Sequence, residues 1–237
     1  MVRDMITVFT ASYNYSGYLE TAIRSVLGQT YKDFEYHLID YGSTDDTWKI
    51  MNKYTNDPRV RAIKIVSQAN KVHAMNESIR LAKGDFWVWC PADDRLDCHL
   101  LERAVEYSKR YPGAVLYSDA YIINETNRVI AMKRRPEFTE AELAEVIWQK
   151  SVIGFTGIVI PMYIFRDMNL YFCEEENYSE DYRWMIEAVM QGIKFRHIPE
   201  YLVYKRKHKS SCTKREYDDI IANIGVIHKE LREKYDK

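Results

Sequence analysis

Short apolar runs alternate with amphipathic stretches through roughly the first 110 residues, and nothing else in the sequence limits the fold so strongly. Ile6–Phe9 is a buried-strand pattern that breaks into the polar turn TASYNYSG. From Tyr18 to Leu27, the residues Leu19, Ile23, Val26 and Leu27 repeat at helical spacing. FEYHLID reads as a second strand, and GSTDDT follows it, with Ser43 and Asp45 placed to cap a helix through Tyr54. A third strand covers residues 60–66. Ala74, Met75, Ser78, Ile79 and Ala82 share the face of a helix that stops at Gly84. Phe86–Cys90 is a fourth strand, closed by PADD, and Asp97 caps the helix that ends near Tyr111-Pro112-Gly113. Strand–helix alternation of this kind predicts an α/β fold, with a mainly parallel sheet and helices on both faces.

The second half breaks the pattern. AVLYSDAYIIN and RVIAMK flank Asn124–Asn127 and predict an antiparallel element. Thr139 and Glu142 form a capping box that opens a helix to about Lys150. Thr156–Ile160 is a strand, Glu180–Gln191 a helix ending at Gly192, and IKFRHI and YLVYKR are two late strands. Thr213 and Glu216 form a second capping box before a long C-terminal helix. With no linker or repeat, one domain is expected, divided at about residues 1–112, 113–212 and 213–237.

Composition removes several classes of function. A formal net charge of −1 gives no bulk drive toward nucleic acid, and the 19 tyrosines are scattered. Cys90, Cys98, Cys173 and Cys212 show neither a CxxC pair nor a zinc spacing, which reads as reduced thiols in a cytoplasmic protein. There is no secretory leader pattern and no apolar run near the ~18 residues that span a bilayer, so peripheral membrane contact is the form left open. GxGxxG and GxxxxGK[ST] are absent, against dinucleotide Rossmann enzymes and P-loop NTPases.

Ligands of open parallel sheets bind beyond the carboxyl ends of the strands. Polar clusters fall there: Thr10–Asn14 after strand one, Asp40 after strand two and Asp93-Asp94 after strand four. Glu180-Asp181 opens a helix of the second half. Acidic groups converging on one crevice repel unless a cation joins them. Without a glycine cradle, phosphate charge needs Mg2+ or Mn2+ held by one or two carboxylates, a role that Asp93-Asp94 fits. Each residue also has a plain structural reading. Asp40 and Glu180-Asp181 suit helix starts, Tyr13 suits a core, Asp93-Asp94 suits a solvated turn, and His208 lies in a basic stretch. The run Lys133–Arg135 reads as surface.

Taken together, the segments TASYNYSGYLETAIRSVLGQTYKDFEYHLIDYGSTDDT, NKVHAMNESIRLAKGDFWVWCPADD and SEDYRWMIEAVMQGIKFRHIPEYLVYKRKHKSS resemble glycosyltransferase family 2, in the right order over about residues 5–211. The resemblance implies a GT-A fold, a nucleotide-sugar donor, a divalent metal and inversion at the anomeric carbon. It makes Asp40 the reader of the base. Thr10, Ala11, Tyr13 and Asn14 become the first nucleotide-contact loop. Asp93 would face ribose and metal, with Asp94 on the metal, Asp181 the catalytic base, and His208 reaching the diphosphate or metal. The sequence departs from the family in having Pro91 at the first position of the DADD form, Tyr41 in place of a second aspartate, and Lys71-Val72-His73 where a glycine is usual.

The expected reaction is a single displacement from a UDP-sugar to a hydroxyl of a glycan or lipid-linked acceptor. The alternatives are a sugar-phosphate nucleotidyltransferase, against which the single glycine of TASYNYSG counts, and a non-catalytic sugar-binding module, against which the three retained acidic sites count. Donor sugar, acceptor and oligomeric state leave no mark in the sequence.

Overall fold

Strand β1 (Ile6–Ser12) runs along the middle of a parallel sheet because nearly every one of its residues is buried, as a strand covered on both faces requires. Ile6 and Val8 point into one core and Phe9 into the other. The structure, a computed structural model, describes residues 4–65, 70–175, 179–209, 211 and 217–235. The capping box at Thr213 and Glu216 lies outside these residues.

β1 pairs in parallel with β2 (Phe34–Asp40), from Ile6 opposite Phe34 to Ser12 opposite Asp40. On its other side it pairs in parallel with β4 (Phe86–Trp89), and β3 (Val60–Lys64) extends the sheet beyond β2. The crossovers carry α1 (Ser16–Leu27), α2 (Thr47–Asn52) and α3 (Lys71–Leu81). The order β3-β2-β1-β4 reverses between β1 and β4. Such a switch point opens a crevice at the carboxyl ends of the two strands, because their connections leave toward opposite faces. Residues 10–14 and 90–94 border that crevice.

Past β4 the sheet becomes mixed. Its next members are β8 (Val159–Pro161), antiparallel to β4, then β6 (Val115–Ile123), β9 (Phe195–Arg206) and β5 (Arg95–Leu96). β7 (Val129–Lys133) pairs with β6 to make the expected antiparallel hairpin. The two late strands of the sequence reading are one strand. Ser118 faces Ile198 and Asp119 faces Tyr201, so Pro199 and Glu200 bulge out. Proline has no N–H to give the ladder, and the strand accommodates it by bulging rather than ending.

The first core layer holds Phe9, Met75, Trp87, Phe165, Phe172 and Trp184, the second Leu19, Ile23, Leu38, Met51 and Leu101. The helices α4 (Leu100–Arg110), α5 (Glu140–Val146), α6 (Tyr163–Arg166), α7 (Glu180–Met190) and α8 (Tyr217–Tyr235) complete the packing. The capping box of α5 is present with both of its bonds, although the helix ends before Lys150. Among the described residues, no helix is long and apolar enough to cross a membrane.

Candidate active site

At the end of β2, Asp40 is fully buried. Its Oδ1 accepts the Ser43 N–H at 2.9 Å, while its Oδ2 has no hydrogen-bond partner. A buried carboxylate oxygen without a donor is costly and calls for one. Beside it, exposed Tyr13 stacks on Tyr41 with ring centroids 5.7 Å apart, so Tyr13 is not a core residue. Asn14 adopts a left-handed φ of 59° and joins the two strand-end loops. Its Oδ1 accepts the Thr44 N–H at 2.8 Å, and its own N–H donates to Ser43 Oγ at 2.9 Å. Thr10 turns inward, its Oγ1 bonded to the Cys90 carbonyl at 2.7 Å and to Tyr36, so its side chain braces the crevice floor. Ala11 is partly exposed along the same strand end.

Asp93 Oδ2 and His208 Nε2 meet at 2.9 Å across the crevice. The His208 ring is buried against Tyr18, 4.8 Å between centroids, and its Nδ1 has no partner. Both carboxylate oxygens of Asp94 are engaged by the protein. Its Oδ1 accepts the Arg206 backbone N–H at 2.7 Å and its Oδ2 accepts the Thr156 hydroxyl at 2.7 Å. Burial, with Asp93 adding repulsion, pushes its carboxyl up to about 7. Asp93, Asp94 and His208 therefore do not gather their ligand atoms as a set. Among the described residues, the group that does so within 4.8 Å is Asp97, Cys98 and His99, away from the crevice floor. A carboxylate and an imidazole side by side, backed by a second carboxyl whose ionisation is opposed by burial and by Asp93, fit a hard divalent cation such as Mg2+ or Mn2+.

Glu180 and Asp181 separate as successive helical residues must, turned by about 100°. Glu180 is buried and ion-paired with Lys71 Nζ at 2.5 Å. Burial raises its pKa, with Lys71 pulling the other way. Asp181 stays partly exposed, its Oδ1 accepting the N–H of the next residue, Tyr182, at 2.8 Å. Ser179, before it, has φ 71°, a strained conformation for a residue with a Cβ. Lys71 also lies over the Trp89 ring at 5.7 Å, which ties the start of α7 to the end of β4.

Sequence reasoning missed two cations here. Arg206 is buried. Its guanidinium donates to the carbonyls of Asp93 and Asn124, both at 2.7 Å, and to Asn127 Oδ1 at 2.6 Å, and it packs over Tyr18. The signal was period-two alternation, because Arg206 and His208 turn inward while Lys205, Lys207 and Lys209 turn out. Lys71 left no such signal. Arg135 also departs from the surface reading of its run. It is half-buried, with its N–H on Asp119 Oδ1 at 2.7 Å.

The family model for glycosyl transferase family 2 matches residues 7–174. The chain is 23% identical over 227 residues to the UDP-Glc:alpha-D-GlcNAc-diphosphoundecaprenol beta-1,3-glucosyltransferase WfaP of Escherichia coli, covering 94% of this chain and 86% of that protein. Several longer curated relatives are matched over only 14% to 45% of their own length. Among solved structures, S. aureus TarS 1–349 in complex with UDP-GlcNAc superposes with a TM-score of 0.75 at 19% identity, over 94% of this chain and 66% of that one. The mannosyltransferase PcManGT of Pyrobaculum calidifontis, in complex with GDP-Man and Mn2+, gives 0.70 at 16%, over 96% and 64%. The switch-point crevice, the acidic residues at its strand ends and the GT-A-type sheet thus accompany a family match over most of the sequence: the chain belongs to glycosyltransferase family 2.

Proposed function

We propose that the protein transfers a hexose, with inversion, from a nucleotide diphosphate sugar, UDP-linked by preference, to a hydroxyl of a glycan or lipid-linked acceptor in polysaccharide or glycolipid synthesis. The observation that carries this reading is the division of labour at the start of α7. Glu180 is enclosed and neutralised by Lys71, which leaves Asp181 as the solvent-accessible carboxylate of the pair. The names of WfaP and of the TarS complex support a uridine donor, and that of PcManGT supports a divalent metal.

In this mechanism, Asp40 accepts the imide N–H of uracil with its unpartnered oxygen. The Tyr13–Tyr41 pair offers the base an aromatic edge. Asp93 and His208 would hold Mg2+ or Mn2+ together with the diphosphate oxygens, with Asp94 behind them, held by Thr156 and the Arg206 N–H. The cation would neutralise the charge that builds on the leaving diphosphate. Asp181 takes the proton of the acceptor hydroxyl as its oxygen attacks the anomeric carbon from the side opposite the diphosphate. Arg206 fixes the Asp93 carbonyl and the Asp94 carboxylate, so the crevice wall is preorganised before substrate arrives.

Asp181→Asn tests the assignment. It is expected to keep UDP affinity within about twofold while turnover falls by a factor on the order of 10²–10⁴. Near-normal turnover in Asp181→Asn, or a larger loss in Glu180→Gln at unchanged stability, would remove Asp181 as the base.

A further inference from the structure

The β6–β7 hairpin carries a surface that the transfer reaction does not explain. All five residues of β7 are exposed, and they include Val129, Ile130 and Met132 at 44%, 52% and 58%. A register shift at this point of the pairing lets two β7 residues oppose one on β6, which interrupts the in–out alternation. Met132 sits opposite Tyr121, whose ring stacks on Tyr201 and Tyr204 at 4.9 and 5.0 Å, so the apolar strip continues into half-buried aromatic side chains.

Cations flank this strip. Arg128, Lys133 and Arg134 are exposed on the hairpin, and Lys205, Lys207 and Lys209 are exposed on and after the neighbouring β9. Lys133 and Lys205 share the sheet face opposite Met132 and Tyr121, whereas Arg134 lies on the apolar face and also pairs with Asp119 at 4.0 Å, so the cations border the hairpin edge on both sides. The Lys133 ammonium is depressed by Arg135 first, then by partial burial and by Lys205 and Lys207. Between residues 124 and 135 the one acid is Glu125. On a chain of net charge −1, that is a concentrated basic patch around exposed apolar side chains.

We infer that the β6–β7 hairpin docks the protein on an anionic phospholipid bilayer, with Val129, Ile130 and Met132 entering the headgroup boundary and the surrounding lysines and arginines binding lipid phosphates. Charge decides between occupants. A second copy placed edge to edge would oppose one basic patch with another, whereas an anionic surface neutralises it. Aromatic rings with a polar end favour the same interface. The hairpin turn is also fastened to the crevice, since Arg206 binds Asn124, Asn127 and the Asp93 carbonyl together. Docking therefore presents the crevice beside the membrane. Bilayer binding stands without the transferase reading, but its use in reaching a lipid-linked acceptor rests on that reading.

The test is sedimentation of the full chain with vesicles of phosphatidylcholine alone and of phosphatidylcholine with about one third phosphatidylglycerol. Binding is expected to be at least about tenfold tighter on the anionic vesicles and to weaken with salt. Ile130→Asp/Met132→Asp should reduce it by about tenfold or more. Arg128→Ser/Lys133→Ser/Arg134→Ser should reduce it by up to about 100-fold, three cations each contributing about 1 kcal/mol. Both variants should keep wild-type UDP affinity and transfer to a water-soluble acceptor, and loss of that activity in the wild type would count against the transferase reading alone. Equal binding to the two vesicle types, or wild-type binding by the charge variant, overturns the inference. So does sedimentation-velocity evidence of a dimer that Ile130→Asp dissolves.

Discussion

Replacing Lys71 with methionine removes one charge of a buried pair and keeps most of the apolar stem. Lys71 Nζ lies 2.5 Å from Glu180 Oε1, and Glu180 is 1% exposed against 28% for Lys71. Two unit charges at that distance attract by roughly 7 kcal/mol at an effective dielectric of about 20. Much of this offsets the desolvation of Glu180, and solvent reaching Lys71 screens part of the rest. Losing one partner of a buried pair costs about 3–5 kcal/mol, so the part-exposed Lys71 places the expected loss near 2–3 kcal/mol. At about 2–4 °C per kcal/mol for a chain of this size, the melting temperature should fall by about 4–12 °C. The loss should depend on pH. The Glu180 carboxyl is already raised above its ordinary 4.5 by burial, with Lys71 opposing the rise. A carboxyl raised on folding binds its proton more tightly in the folded state. Its stabilising contribution is therefore full below about pH 4.5 and is lost as pH climbs through the folded value. Removing Lys71 moves that value higher, so the deficit of Lys71→Met should widen between pH 5 and pH 8. Urea unfolding of Lys71→Met, Glu180→Gln and the double variant measures it, and the double variant should recover at least half of the loss. A loss below about 0.5 kcal/mol, the same loss in the Glu180→Gln background, or no widening with pH would refute this account of the pair.

Chelation should abolish transfer and Mg2+ or Mn2+ should restore it. Asp93→Asn should weaken UDP binding by tenfold or more with Mn2+ present and by little without it, on the order of one lost charge-assisted contact in calorimetry. Asp40→Asn should narrow the preference for UDP over CDP, which equal affinities in the wild type would contradict. Gly157→Ala should cost about 2 kcal/mol or more in urea unfolding. Gly157 has φ +69°, and a Cβ there would overlap the side chains of Val203 and Leu100.

Much of this protein was legible in its sequence because the signals are local. Apolar runs such as Ile6–Phe9 fix strands, Leu19, Ile23 and Val26 fix a helix face, and the alternation of both fixes a parallel sheet. Strand ends fall at Ser12, Asp40 and Trp89, which sets residues 10–14, 40 and 93–94 along one rim. Tertiary structure decided what each side chain does at that rim. Glu180 and Asp181 are equivalent on paper, and only the arrival of Lys71 from another helix buries one and leaves the other open. Asp93 and Asp94 read as one motif, yet Thr156 and Arg206 claim the oxygens of Asp94 while His208 reaches Asp93. These partners lie 62 to 115 residues away in the chain, and which of them meet depends on how β9 and the 156–157 turn pack beside β4. Sequence periodicity reports which way a side chain faces, whereas the partner it meets is set by packing between distant segments.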